Sequence, residues 1–492
     1  MVTPALTRPA PAEPGAVRDR TFRLGLVGSL LVLVGGLGVG ATLERDPLLS
    51  NTVLGIWRYG HGKMVAGALL YTGIGLLVWA WIRLGRAVRS DQVGVAGVVR
   101  TAAWWAAPLL LAPPLFTRDP YIYLAQGALA AAGFDPYTTG PNAITGPMTD
   151  NVADIWLSTP SPYGPLFILL LKSIVSVTGT HVLLGVLLTR LVLVSGLVLL
   201  CAALPGLSRH LGGRPAVALW LAVANPFTLV HLVGGMHNDV LMIGLLCAGT
   251  LAVLDRRHVL GFALVGAAVA VKVTAAVALP FLVWVWVAHR KGSSRVGSFA
   301  LAAGVGVVVV CTVFGAFTLL AGVDLGWLGA LNGNTVVDLW ISLPTAAGKI
   351  VSGAAGLFAD VNPAHVVGVV RVVGWFVLAG VVGWLWWRSR EGGPTAIRNA
   401  AFALLATVLL SAVTFSWYFS WPLVLAAGFA IPQRRIALIG GCSVWLILNN
   451  YPGGDTVQNN WPLVVVTIVV AIYAGTRLRA EQSSAESEVR PA

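Results

Sequence analysis

The residues that could do chemistry cluster in a few polar stretches between long apolar runs. The longest stretch, residues 117–164, holds Asp119, Asp135, Asp150 and Asp154 with four Tyr and one Trp, and no Lys or Arg stands between Asp119 and Lys172. A connection this long usually carries function. Asp119, Tyr123 and Gln126 recur at i, i+4 and i+7, which puts them on one helical face. A carboxylate beside aromatics at a membrane exit suits a general base that accepts a proton from a sugar hydroxyl. Asp followed by Pro is equally a common helix start, with Asp as the cap. Two turn sequences follow, Phe134-Asp135-Pro136-Tyr137 and Ser161-Pro162-Tyr163-Gly164-Pro165. Their Tyr137 and Tyr163, with Trp156, could stack on sugar rings or anchor the chain at a membrane interface.

Three later stretches add candidates. In Gly234-Gly235-Met236-His237-Asn238-Asp239, the His and Asp are two ligands at most, too few for a metal site, and Asn238 or Asp239 could cap the next helix. Lys272 lies in Val271-Lys272-Val273-Thr274, at the turn between two short apolar runs. A lysine at membrane depth is expensive and marks a functional position by default, with an anionic lipid headgroup as its natural partner, although it could also snorkel. Arg190, Lys172, Lys349 and Arg371 are weaker candidates of the same kind. Phe415 to Pro422 contains Trp417, Tyr418 and Trp421, and Asn449-Asn450-Tyr451-Pro452 follows; aromatics with amides suit carbohydrate or a membrane belt. Phosphate-loop, nucleophile-elbow, zincin and dinucleotide fingerprints are absent, which argues against ATP-driven transport and a soluble nucleotide-sugar enzyme. The four Cys lie singly inside apolar runs and read as packing residues. No cofactor and no metal is expected.

The elements that position these residues follow from composition. Of 492 residues, 57% are hydrophobic and 10% charged, and the mean hydropathy is +0.83. A soluble domain carries about 25% charged residues, so a soluble protein is excluded. The net charge of +13 comes almost wholly from Arg in short clusters between apolar runs. That layout fits the positive-inside rule and argues against nucleic acid as a partner. Fourteen runs approach the roughly 20 residues of a bilayer span. They lie near 24–43, 64–84, 96–116, 181–203, 215–232, 239–254, 258–272, 274–288, 296–321, 365–388, 396–414, 419–432, 436–450 and 461–477. Two further stretches, 165–178 and 345–358, would break the alternation of basic and non-basic loops, and are expected to be re-entrant or interfacial. The basic loops place both termini in the cytoplasm and the polar stretches outside. The expected architecture is an all-α polytopic helix bundle in the plasma membrane. Residues 1–20 and 479–492 read as disordered tails, 21–92 as an N-terminal hairpin, and 93–478 as the catalytic unit.

The first loop, with Asp119-Pro-Tyr-Ile-Tyr-Leu-Ala-Gln-Gly127, Gly133-Phe-Asp-Pro-Tyr137 and Ser161-Pro-Tyr-Gly-Pro165, resembles that of the polyprenyl-phosphomannose-dependent α-1,6-mannosyltransferases of the MptB type. Gly235-Met-His-Asn-Asp239, Val271-Lys-Val-Thr274 with Leu279-Pro-Phe281, and Ser416-Trp-Tyr-Phe-Ser-Trp-Pro422 are similar to later motifs of the family, so the resemblance runs from about residue 95 to 475. It implies a GT-C fold. It also implies transfer of mannose from a polyprenyl-phosphate donor to a mannan or glycolipid acceptor, of the lipomannan kind, at the outer face of the membrane. Inversion is implied, with Asp119 as the base. Lys272, then Lys172 and Arg190, are candidates for the donor phosphate. Tyr123, Gln126, Tyr137, Tyr163, His237, Asn238, Asp239, Trp417 and Tyr418 are candidates for the sugars. The key loop follows the third apolar run rather than the first, so the first two would be an added hairpin. A transporter of a lipid-linked saccharide, or an enzyme using another polyprenyl-phosphate sugar, are the alternatives.

Overall fold

The computed structural model describes residues 14–479 except 48, 291, 293 and 331–336. Residues 1–13 and 480–492 of the two expected tails, and Lys291 of one basic loop, lie outside the described residues. The described chain is predominantly helical, and its β content is limited to two isolated bridges. Apart from one-turn helices, the α-helices are α1 (Pro14–Val39), α2 (Gly60–Arg89), α3 (Val95–Leu109), α4 (Asp119–Ala131), α5 (Pro165–Thr178), α6 (Val182–Leu211), α7 (Pro215–Ala222), α8 (Asp239–Leu254) and α9 (His258–Val271). They continue with α10 (Leu279–His289), α11 (Arg295–Ala321), α12 (Leu343–Ala355), α13 (Pro363–Trp387), α14 (Gly393–Leu410), α15 (Ser420–Ala426), α16 (Gln433–Leu448) and α17 (Trp461–Arg479). Helix α1 begins at Pro14, inside the stretch expected to be a disordered tail.

All fourteen apolar runs contain helix, but only seven helices among the described residues are long and apolar enough to cross a membrane: α1, α2, α6, α11, α13, α14 and α17. An eighth is counted if the π-helix Thr228–Gly234 and α8 are one span, bent by 111°. By length and composition the described residues thus hold seven or eight such helices, short of the fourteen runs. The physical reason lies in its helix breakers. Run 96–116 ends after Pro108, and run 215–232 is cut at Asn225-Pro226. Run 419–432 yields only seven residues of α-helix in α15. Such breaks free backbone groups that lipid cannot satisfy, so they must be buried in protein. Apolar side chains on α11 (Val307, Leu319), α13 (Val372, Phe376) and α17 (Val469, Ile472) point outward instead, where a bilayer would cover them. The chain is a multi-pass, all-α membrane protein.

Small residues let the helices close up, as membrane packing requires. A Cβ on Gly35 of α1 would stand 2.5 Å from the Ala66 carbonyl oxygen of α2, and one on Gly244 of α8 would stand 2.3 Å from that of Gly196 in α6. The hairpin α1–α2 is tied to the rest by a reciprocal pair. Trp81 Nε1 donates to the Trp220 carbonyl at 3.0 Å, Trp220 Nε1 donates to the Trp81 carbonyl at 2.9 Å, and the rings stack 4.9 Å apart. The loop after α1 packs on the first long polar loop, where the Tyr121 hydroxyl donates to the Ala41 carbonyl and the Glu44 amide to Asn151 Oδ1.

The helix breaks gather at one end of the bundle. There the Leu115 amide donates to the Gly234 carbonyl, Phe116 to Pro452, and Gly164 to Val271. Asn449 Nδ2 donates to Ser416 Oγ at 3.1 Å, and Ser416 Oγ donates to Asn450 Oδ1 at 3.2 Å. Four separate breaks are thus stitched together, and the Gly164–Val271 bond joins two more.

Candidate active site

Asp119 is the first residue of α4, with Arg118 in the cap position and Pro120 behind it. Its carboxylate caps nothing. No side-chain cap bond is made at this helix start, and the Asp119 amide donates to Thr117 Oγ1 at 3.0 Å. The expected cap role therefore gives way to a carboxylate at a helix N-terminus, where the aligned peptide dipoles favour negative charge. Its side chain is 19% exposed and lies on the wall of a cavity of about 420 Å³.

The same cavity is lined by Lys272, at the break between α9 and the next turn of helix. Lys272 Nζ donates to both oxygens of Asp239, at 2.8 and 3.0 Å, and lies 4.3 Å from the Tyr418 ring centroid. Trp421 Nε1 also donates to Asp239 Oδ1. Asp239 is wholly buried, so the ion pair holds the lysine in place rather than contributing a second acid to the cavity. It is not a helix cap either, nor is Asn238, whose side chain makes no cap bond.

Of the other candidates, Gln126, Tyr163, Trp417 and Tyr418 line the cavity with Trp156. Ser161 Oγ donates to Gln126 Oε1 at 3.0 Å, which orients the amide. Tyr123 stands one layer back, edge-on to Tyr163 and Phe167 at 5.2 and 5.0 Å. His237 and Asn238 are also behind the wall, both fully buried. Tyr137 is elsewhere, in a small separate cluster with Ala130 and Ile168. Its turn is closed by its own amide donating to Asp135 Oδ1 at 3.0 Å.

Two of the three candidate phosphate cations are used structurally. Arg190 is buried and donates to the Leu110 carbonyl at 2.7 Å and the Gly234 carbonyl at 3.2 Å, joining the end of α3 to the end of the π-helix. Lys172 donates to the Ala321 carbonyl at 3.1 Å. Neither is on the cavity wall. The sequence reading also missed wall residues: Trp375 of α13, and Thr407 and Ser411 at the end of α14. They stand in or beside ordinary apolar spans, and no local signal marks them. A larger cavity, about 600 Å³, lies near the arginine-rich end between α1, α2 and α3; it holds none of the candidate residues.

A family model described as α-(1→6)-mannopyranosyltransferase, N-terminal domain, matches residues 22–288, and a second, the MptB C-terminal domain, matches 344–480. The chain belongs to this family. Alpha-(1→6)-mannopyranosyltransferase A of Mycobacterium tuberculosis is 41% identical, over 89% of this chain and 86% of its own length. The A enzyme of Corynebacterium glutamicum is 33% identical over 90% and 95%, and the B enzyme of the same organism 29% over 85% and 74%. No solved structure matches. The chain is a mannosyltransferase of the MptA/MptB type, and the cavity carrying Asp119 and Lys272 is its candidate active site.

Proposed function

We propose that the chain transfers mannose from a polyprenyl-phosphate carrier to an α-1,6-mannan or glycolipid acceptor, in a single inverting displacement with Asp119 as base. An acceptor hydroxyl oxygen bonds to C1 of the β-linked mannose, and its proton passes to the Asp119 carboxylate. The bond from C1 to the phosphate oxygen breaks, and the polyprenyl phosphate leaves with the electron pair. One direct attack needs one base, and the phosphate is already a weak base that needs no strong acid.

The observation that carries this reading is that a partly exposed carboxylate and a fixed cation line one cavity. Lys272 Nζ holds Asp239 and turns its remaining charge toward the donor phosphate, a preorganised partner for the developing negative charge. Gln126, Tyr163, Trp417 and Tyr418 supply a hydrogen-bonding edge and aromatic faces for the sugars. Trp375 and Val413 offer an apolar flank for the prenyl chain. With the basic loops in the cytoplasm, the cavity opens to the outside.

The test is a transfer assay in membranes with polyprenyl-phosphate mannose and a short α-1,6-mannan acceptor. Wild type is expected to make α-1,6 product. Asp119→Asn is expected to lose about 10²–10⁴-fold in rate, the usual worth of a general base. Full turnover by Asp119→Asn would reject the base; product with another polyprenyl-phosphate sugar only would reject the donor.

A further inference from the structure

His237 is placed where a sugar contact cannot be made. It is 0% exposed, and the cavity wall does not include it. Its Nδ1 instead lies 3.3 Å from Asp119 Oδ2. That is within ion-pair reach, but the alignment is poor, and neither ring nitrogen completes a hydrogen bond with any described residue. Catalytic hydrogen bonds are often long before substrate binds and tighten afterwards.

The surroundings fix the ring from three sides. It stacks on Trp417, with centroids 3.6 Å apart and planes 15° apart. His231, on the preceding π-helix, lies 6.3 Å behind it, with its own Nε2 anchored at the Leu446 carbonyl. Two residues further on, Asp239 is clamped by Lys272 and Trp421. The backbone is strained here as well. Met236, just before His237, has φ of +58° although it is not glycine and is fully buried. Such a conformation costs on the order of 1–3 kcal/mol and persists where the surrounding structure demands it. Burying a histidine with unsatisfied nitrogens adds a further cost. Stacking on Trp417 accounts for neither cost, since Phe or Tyr would stack as well.

We propose that His237 is the positioning residue for the base. Resting on the reading of Asp119 above, the imidazole directs Nδ1–H at Asp119 Oδ2 and fixes the carboxylate rotation. Oδ1 is then left to face the cavity and take the acceptor's proton. The arrangement is the usual one of a base oriented by a third group. His237 itself exchanges no proton with the acceptor and touches no substrate.

The experiment measures kcat and the KM of both substrates for the full chain in membranes, with His237→Asn, His237→Gln and His237→Phe beside wild type and Asp119→Asn. The Asn amide offers its N–H near the Nδ1 position, Gln near Nε2, and Phe keeps only the stack. His237→Gln and His237→Phe are expected to lose roughly 10²-fold in kcat, the cost of misplacing a catalytic group by about 1 Å. Their KM values should stay near wild type, and His237→Asn should recover most of the loss. Thermal unfolding in detergent identifies any variant that fails to fold, and the Asn–Gln comparison, one chemistry at two positions, stands without the Phe variant. Equal rates for Asn and Gln, or wild-type kcat for a folded His237→Phe, would overturn the proposal. If Asp119→Asn is inactive while Asn and Gln match, only the role of His237 falls. If Asp119→Asn is active, the underlying base reading falls with it.

Discussion

Removing one partner of the Lys272–Asp239 pair should damage the protein far more than removing both. Asp239 is 0% exposed and Lys272 9%, and the contact is bidentate at 2.8 and 3.0 Å. Breaking such a buried pair from one side leaves an uncompensated charge and costs about 3–5 kcal/mol, whereas replacing both groups with apolar ones of similar volume is often neutral or stabilising. Lys272→Met strands Asp239 with Trp421 Nε1 as its remaining side-chain donor. Asp239→Leu strands Lys272, which can still turn its charge toward the cavity and the ring faces of Tyr418 and Trp421. The lysine variant should therefore be the less stable of the two. The double variant Asp239→Leu/Lys272→Met should lie near wild type. The assay is unfolding in mixed micelles as a double-mutant cycle; two single losses of about 3–5 kcal/mol with a double variant near wild type give an expected coupling of about 6–10 kcal/mol, above the usual 0.5–3 kcal/mol for contacting residues. Transfer activity, read in parallel, should be lost in Lys272→Met and stay lost in the stable double variant, because the phosphate then faces no cation. Additive stability losses would refute the view that each charge is buried for the other. Activity restored in the double variant would refute the phosphate role of Lys272.

Two further outcomes test the scaffold. Gly244→Val should destabilise by about 1–3 kcal/mol through overpacking, because its Cβ would meet the Gly196 backbone at 2.3 Å; unfolding measures that loss, and a matching fall in kcat is expected as α8 carries Asp239 away from Lys272. Arg190→Gln should lower stability by about 1–3 kcal/mol by leaving the buried Leu110 and Gly234 carbonyls short of donors. Its KM for the donor should stay unchanged in the folded fraction, since Arg190 does not reach the cavity; a specific rise in donor KM would restore it as a phosphate ligand.

The sequence by itself determined the solvent of this protein and the neighbourhood of its chemistry. A chain with 57% hydrophobic and 10% charged residues has too few polar groups to be covered by water. Its apolar runs became helices because lipid tolerates no unsatisfied backbone. The order of the polar motifs pointed to the family and to Asp119. It was the tertiary structure that decided which residues face the cavity. Lys272, Lys172 and Arg190 look alike in sequence, as lone cations beside apolar runs. Only packing shows one on the cavity wall, held by a buried carboxylate, and two tied to backbone carbonyls. Asp119 and Asp239 both open helices, yet one carboxylate lines the cavity and the other is buried and consumed by a lysine 33 residues away. The same reason separates the fourteen apolar runs from the seven or eight helices long and apolar enough to cross. Hydropathy records how apolar a run is, but whether it crosses whole or breaks depends on whether other helices can satisfy the freed backbone groups. That is a property of contacts between residues distant in the chain, as when Arg190 reaches the carbonyls of Leu110 and Gly234.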